Sequence, residues 1–166
     1  MIKMSQSGRV WLAFLEGGVY LVPYQDGNGV WTIGVGSTYW PDGREVKETD
    51  RLDSYEEGME LFDTTLRDFE EGVSEALLSS GVFIRNGGPF PAHVTDALIS
   101  FSFNIGIPRF RKSTALKRFN ENFSLRSVAE AMSWWKRPNL SSRRTAERRC
   151  LIDGVYVDQG GLVVTA

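Results

Sequence analysis

Three residues early in the chain, Glu16, Asp26 and Thr32, are of types that do acid–base work together. Cleaving a glycosidic bond needs two carboxyl groups in unlike surroundings. One is held protonated to donate to the leaving oxygen, and the other stays ionised to activate water or attack the sugar. Glu16 stands between Leu15 and Gly17 against an aromatic-rich segment, where loss of hydration would favour its protonated form. Asp26 lies in a polar Asp-Gly turn and is expected to remain ionised. Neither residue proves this chemistry alone: an Asp in such a turn usually serves the backbone, and a Glu at a helix end is usually solvated.

The elements that must position them are legible in the pattern. Val10, Trp11, Phe14 and Leu15 share one stripe at helical spacing, predicting a helix over Gln6–Leu15. Gly17-Gly18 suit a left-handed cap, so Glu16 falls at the helix end. Val19–Tyr24 reads as a strand with Pro23 marking an edge or bulge. Gln25–Gly29 holds both Asp-Gly and Asn-Gly, strong hairpin signals, and Val30–Gly36 is the return strand. After Pro41-Asp42-Gly43 a third strand is expected near Arg44–Val46, giving one small antiparallel sheet over about residues 19 to 47.

Beyond it the chain reads helical. Ser54 and Glu57 fit a capping box. Phe62, Leu66, Phe69, Val73 and Leu77 behind them predict a helix of some 25 residues, broken at Asn86–Pro91. Ala92–Ile105 is apolar on most sides, as a buried helix would be. Shorter helices are expected at Ser113–Asn120, Ser124–Trp135 and Ser142–Asp153, the last capped by Gly154, before a weakly patterned tail, Val155–Ala166. The expected architecture is α+β and mostly helical: one domain with a β lobe at about 17–52 and a helical lobe at about 1–16 and 54–166.

With 166 residues the chain is long enough for a real core. Its lone cysteine, Cys150, excludes an internal disulfide and a thiolate metal cluster, and reads as a small buried residue. The only histidine, His93, starts a helix and reads as structural. No cofactor and no metal site is implied. The opening residues carry no apolar signal-like run, and nothing reaches the length of a membrane span. From Arg109 to Arg149 twelve basic residues face only Glu121, Glu130 and Glu147. That bias suits attraction to an anionic surface, or else lies on solvated helix faces.

The ordered string Glu16-Gly17, Tyr24-Gln25-Asp26, Gly29, Thr32-Ile33-Gly34-Val35-Gly36-Ser37-Thr38 closely resembles the signature of phage-type lysozymes, the endolysins of glycoside hydrolase family 24. Downstream, Ala97–Gly106 resembles the family's buried helix ending in Phe-Asn. Phe110 with Ser113–Leu116 resembles its next helix start, and Arg143–Arg148 its Arg-Arg-x-Ala-Glu element. The match runs over about residues 9 to 153. It implies a lysozyme-like fold and hydrolysis of the β-1,4 bond between N-acetylmuramic acid and N-acetylglucosamine in peptidoglycan. Glu16 would be the general acid, with Asp26 and Thr32 orienting the attacking water for inversion. Thr38, Phe103, Asn104 and Ser113 would contact the saccharide.

The resemblance further implies a monomer acting on peptidoglycan glycan strands. It would wait in the host cytoplasm and reach the wall through a holin-like pore or lysis, its basic helices touching the anionic envelope. Two departures stand out. Nine residues separate Glu16 from Asp26 where the family usually has eight, the extra one expected at Gly17-Gly18 or beside Pro23. Ser37 replaces a frequent His. Alternatives are a lytic transglycosylase on the same bond, a wall-binding or virion module that keeps the fold, and a nucleic-acid binder, which lacks any stacking platform.

Overall fold

The computed structural model describes residues 1–79, 81–82, 87, 89–122, 124–135 and 140–164. Asn86 and Gly88 of the expected breaker, and Lys136 and Arg137 of the basic count, lie outside them. Seven helices and one two-stranded antiparallel sheet stand among the described residues. In chain order these are α1 (Gln6–Leu15), β1 (Tyr20–Gln25), β2 (Trp31–Gly34), α2 (Tyr55–Leu78), α3 (Ala92–Ile105), α4 (Ile107–Arg111), α5 (Thr114–Asn122), α6 (Leu125–Ser133) and α7 (Ser141–Asp153).

The chain forms two compact units, Ala13–Asp68 and Met1–Leu12 with Phe69–Ala166. These limits fall inside α1 and α2 and not at their ends.

In the Ala13–Asp68 unit, Ile33, Val46, Leu52 and Leu61 form a small buried core with Trp31 and Trp40 packed on it. The expected third strand is absent: Tyr39 and Glu45 make one isolated bridge. Two backbone bonds still cross the segment, Trp40 N to Arg44 O (2.8 Å) and Val46 N to Thr38 O (2.9 Å), without extending into a strand. Beside them the Asp50 carboxylate accepts from Arg44 Nη1 (2.9 Å), Lys47 N (2.8 Å) and Trp40 Nε1 (3.0 Å). The Ser54 hydroxyl accepts from Glu57 N at 3.1 Å and caps α2, while Glu57 Oε2 accepts from Asp53 N at 2.6 Å, a capping pair displaced by one residue.

In the larger unit, α3 is buried over most of its length and packs on α7, which adjoins α6, which adjoins α5. The short α4 has Pro108 in its first turn, where a missing N–H costs nothing. Phe101 meets Phe110 and Trp135 edge-on, at 6.4 and 6.2 Å between ring centroids. Cys150 is buried; its thiol donates to His93 O at 3.3 Å, and burial holds it well above the usual thiol range. The start of α1 is tied down by a buried carboxylate: Asp96 accepts from Ser5 N (2.9 Å) and Tyr156 Oη (2.7 Å). Gly8 is required there, since a Cβ would stand 2.5 Å from the Asp96 carboxyl. No described helix is long and apolar enough to cross a membrane, and no described cluster of His, Cys, Asp and Glu could hold a metal ion.

Candidate active site

Glu16 is fixed by the way α1 stops. Gly17 N donates to Phe14 O (3.1 Å) and Gly18 N to Ala13 O (2.8 Å), the two bonds of a Schellman cap. Gly17 carries the left-handed φ of 97° that this cap demands. Glu16 is thus the last residue before the reversal, half-buried, and its backbone is set by bonds on either side.

Asp26 is set by the hairpin turn. Its Oδ1 accepts from Asn28 N (2.8 Å) and Val30 N (2.9 Å), while its own N–H donates to Val30 O (3.0 Å). The Val30 and Asn28 N–H groups, in that order, hold its carboxyl below the usual carboxylate range. The turn therefore uses Asp26 for its backbone and at the same time keeps it ionised.

Thr32 lies on β2, 3% exposed, and its hydroxyl donates to Val30 O at 3.1 Å. With the proton so engaged, the oxygen's lone pairs are what the hydroxyl can offer to a donor such as water. Across the sheet, Tyr24 pairs with Thr32 and Tyr20 with Gly34. Four residues on β1 thus span two on β2. This irregularity includes Pro23, which has no N–H to give a ladder.

Tyr20 and Tyr24 lie ring on ring, centroids 4.6 Å apart and planes at 50°. The Tyr24 phenol is pushed up from its ordinary value, first by burial and then by Tyr20, Glu16 and Asp26. Thr38 is half-buried and lines a cavity of about 350 Å³ with Trp31, Tyr39 and Glu45.

The remaining expected residues lie in the larger unit. Phe103 is half-buried and packs on Phe69 at 4.7 Å. Asn104 is also half-buried, and its amide oxygen accepts from Arg144 Nη2. That bond turns the amide N–H₂ the other way. Ser113 is 3% exposed and its hydroxyl accepts from Leu116 N at 3.1 Å, so it caps α5; burial and this bond favour capping over saccharide contact.

Arg143 and Arg144, 3% and 4% exposed, correct the picture of a basic face. Arg143 Nε donates to Glu147 Oε1 (3.0 Å) and Arg144 Nη1 to Glu147 Oε2, while Ser100 Oγ donates to Oε1 (3.1 Å). The Arg144 guanidinium also lies 4.9 Å over the Phe101 ring. Arg118 and Arg111 are paired with Glu130 and Glu75 at 2.8 and 2.5 Å. Arg143 and Arg144 are thus spent inside the fold, while Arg109, Arg111, Lys112, Lys117, Arg126 and Arg148 are exposed.

The phage lysozyme family model matches residues 15–147. An endolysin of Salmonella phage P22 is 32% identical over 154 residues, which are 89% of this chain and 97% of that protein. Among solved structures, an endolysin from Escherichia coli O157:H7 phage FAHEc1 superposes with a TM-score of 0.82 at 29% identity, covering 95% of this chain and 98% of the other. The muramidase domain of SpmX from Asticaccaulis excentricus does so with 0.71 at 28% identity, covering 92% and 99%. A match over that span, which includes Glu16, Asp26 and Thr32, places the chain in the phage lysozyme family.

Proposed function

We propose that this protein is an endolysin that hydrolyses the β-1,4 bond between N-acetylmuramic acid and N-acetylglucosamine in peptidoglycan. Glu16 donates its proton to the leaving oxygen. Asp26, tied to the turn through Oδ1, uses its other oxygen to take a proton from water. Thr32 accepts the second hydrogen of that water and so aims it at the far face of the anomeric carbon. The product has inverted configuration. Thr38, Phe103 and the outward amide N–H₂ of Asn104 contact the saccharide, and Ser113 supports them as a helix cap.

One observation carries this reading: backbone bonds fix Glu16 at the reversal that ends α1 and Asp26 in the next turn, within the span that the phage lysozyme family model matches. Asp26 is held ionised by backbone donors, which suits the base. The test is lysis of permeabilised Gram-negative cells followed by product analysis. The parent protein is expected to clear the suspension and release reducing ends of inverted anomeric configuration, and Glu16→Gln is expected to do neither. Ends in the 1,6-anhydro form would assign a lytic transglycosylase. An inert parent that still binds walls would assign a binding module.

A further inference from the structure

Beside the Asp26 turn lies a cavity of about 350 Å³, of which the scheme above uses only Thr38. Everything that lines it belongs to the Ala13–Asp68 unit. Hydrogen bonds frame its walls. Asp26 N donates to Val30 O (3.0 Å) and Val30 N returns a bond to Asp26 Oδ1 (2.9 Å), which fixes Val30 beside Trp31. Val46 N donates to Thr38 O (2.9 Å), and Tyr39 bridges Glu45. The Tyr39 hydroxyl also donates to Glu45 Oε1 at 3.4 Å.

The lining holds one charged residue, and it is acidic: Glu45. The cation next to it in sequence is engaged elsewhere. Arg44 Nη1 donates to both Asp50 carboxylate oxygens (3.1 and 2.9 Å) and to the Glu45 backbone carbonyl (3.3 Å). The Arg44 guanidinium also lies 5.2 Å from the centre of the Trp40 ring. With Glu45 stand two aromatic residues, Trp31 and Tyr39, and two valines, Val30 and Val46. Val30 and Tyr39 are 45% and 55% exposed, apolar surface that the fold leaves uncovered. A carboxylate among aromatic rings attracts a cation, and valine methyls suit an alkyl stem behind it. A neutral sugar would gain little from the charge, and an anionic group would be repelled.

We propose that this cavity binds a primary ammonium on an alkyl stem, as carried by the peptide branches of peptidoglycan. That source rests on the hydrolase reading, whereas the ammonium chemistry rests on the cavity alone. Glu45 accepts from the ammonium, the Trp31 and Tyr39 rings add attraction, and Val30 and Val46 cover the stem. The cavity shares Val30 with the Asp26 turn and Thr38 with the proposed saccharide contacts. A branch on the bound strand therefore comes within its reach.

The test is an NMR titration of the full-length protein with Nα-acetyl-lysine amide and, separately, with the same probe acetylated at Nε. The lysine probe is expected to shift the Trp31 indole N–H and the Val30 and Val46 amides. The acetylated probe should bind about ten-fold more weakly or worse. Glu45→Gln should lose this preference with its unfolding temperature unchanged, and Tyr39→Leu should weaken it. Equal binding of the two probes, or no shift at these residues, would overturn the proposal. So would a neutral N-acetylglucosamine oligomer that shifts them where the lysine probe does not. In the clearing assay the parent should show a lower apparent KM on intact walls than on walls whose amines have been acetylated, and Glu45→Gln should not tell the two apart. Equal values for the parent would overturn the assignment to the peptide branch. Failure of the hydrolase reading would be visible separately, as clearing that survives Glu16→Gln, and would leave the titration standing.

Discussion

At the residue scale, Glu16 and Asp26 should respond differently to loss of their carboxyls. Glu16→Gln removes the acid and leaves the Schellman cap intact, because that cap is made by backbone groups. Its activity in a cell-clearing assay is expected to fall by about 10²- to 10⁴-fold with unfolding temperature unchanged. Asp26→Ala should lose activity and stability together, since two turn N–H groups bond its Oδ1. Arg144→Lys is expected to raise KM with little change in kcat, because Lys cannot hold Glu147 and the Asn104 amide at once. This scale was also the most readable in sequence. Glu16, Asp26 and Thr32 stood in one motif, and each has a local device that fixes it. The role of Ser113 was not legible in sequence, because a buried helix cap and a sugar contact use the same residue type at a helix start.

At the element scale, α1 and α3 lie where periodicity put them, Gln6–Leu15 and Ala92–Ile105. Their apolar stripes and glycine stops are local signals. The third strand is reduced to one bridge with two backbone bonds across it, and Asp50, several residues beyond, holds the Arg44 and Trp40 side chains there, a partner that only folding brings to them. The Arg44 guanidinium, first, and then the Lys47 N–H hold the Asp50 carboxyl far below the ordinary carboxylate range. A carboxyl depressed on folding contributes stability above its unfolded value, near pH 4, and that contribution drains away as pH falls further. Acid titration of unfolding should therefore show a loss below about pH 4 that is smaller in Asp50→Asn. Gly17→Ala tests the cap of α1. A φ of 97° suits glycine alone, so a loss of about 1–3 kcal/mol is expected in denaturant unfolding. Activity should fall with it, as Glu16 is displaced.

At the scale of the whole molecule, the fate of the individual charges was least legible in sequence. Twelve basic residues against three acidic ones looked like a cationic flank, yet linear counting cannot tell a solvated Arg from one that faces Glu147 in a core. Glu147→Ala would leave two guanidinium groups buried without their carboxylate. A cost of about 3–5 kcal/mol is expected by chemical denaturation, far more than a surface ion pair would give. Attraction to an anionic wall, measured by salt dependence of clearing, should rest on exposed residues such as Arg109, Lys112 and Lys117 rather than on Arg143 and Arg144. The same unit joins the two ends of the chain. Trp11 Nε1 donates to Val157 O at 2.7 Å, and the Ser5–Asp96–Tyr156 cluster ties the start of α1 to the segment after α7. On the ribosome, the helix that ends in Glu16 is made first and finds these partners last. The bond that anchors Trp11 can thus close only once Val157, 146 residues further on, has emerged, so the start of α1 is among the last parts of its unit to be locked.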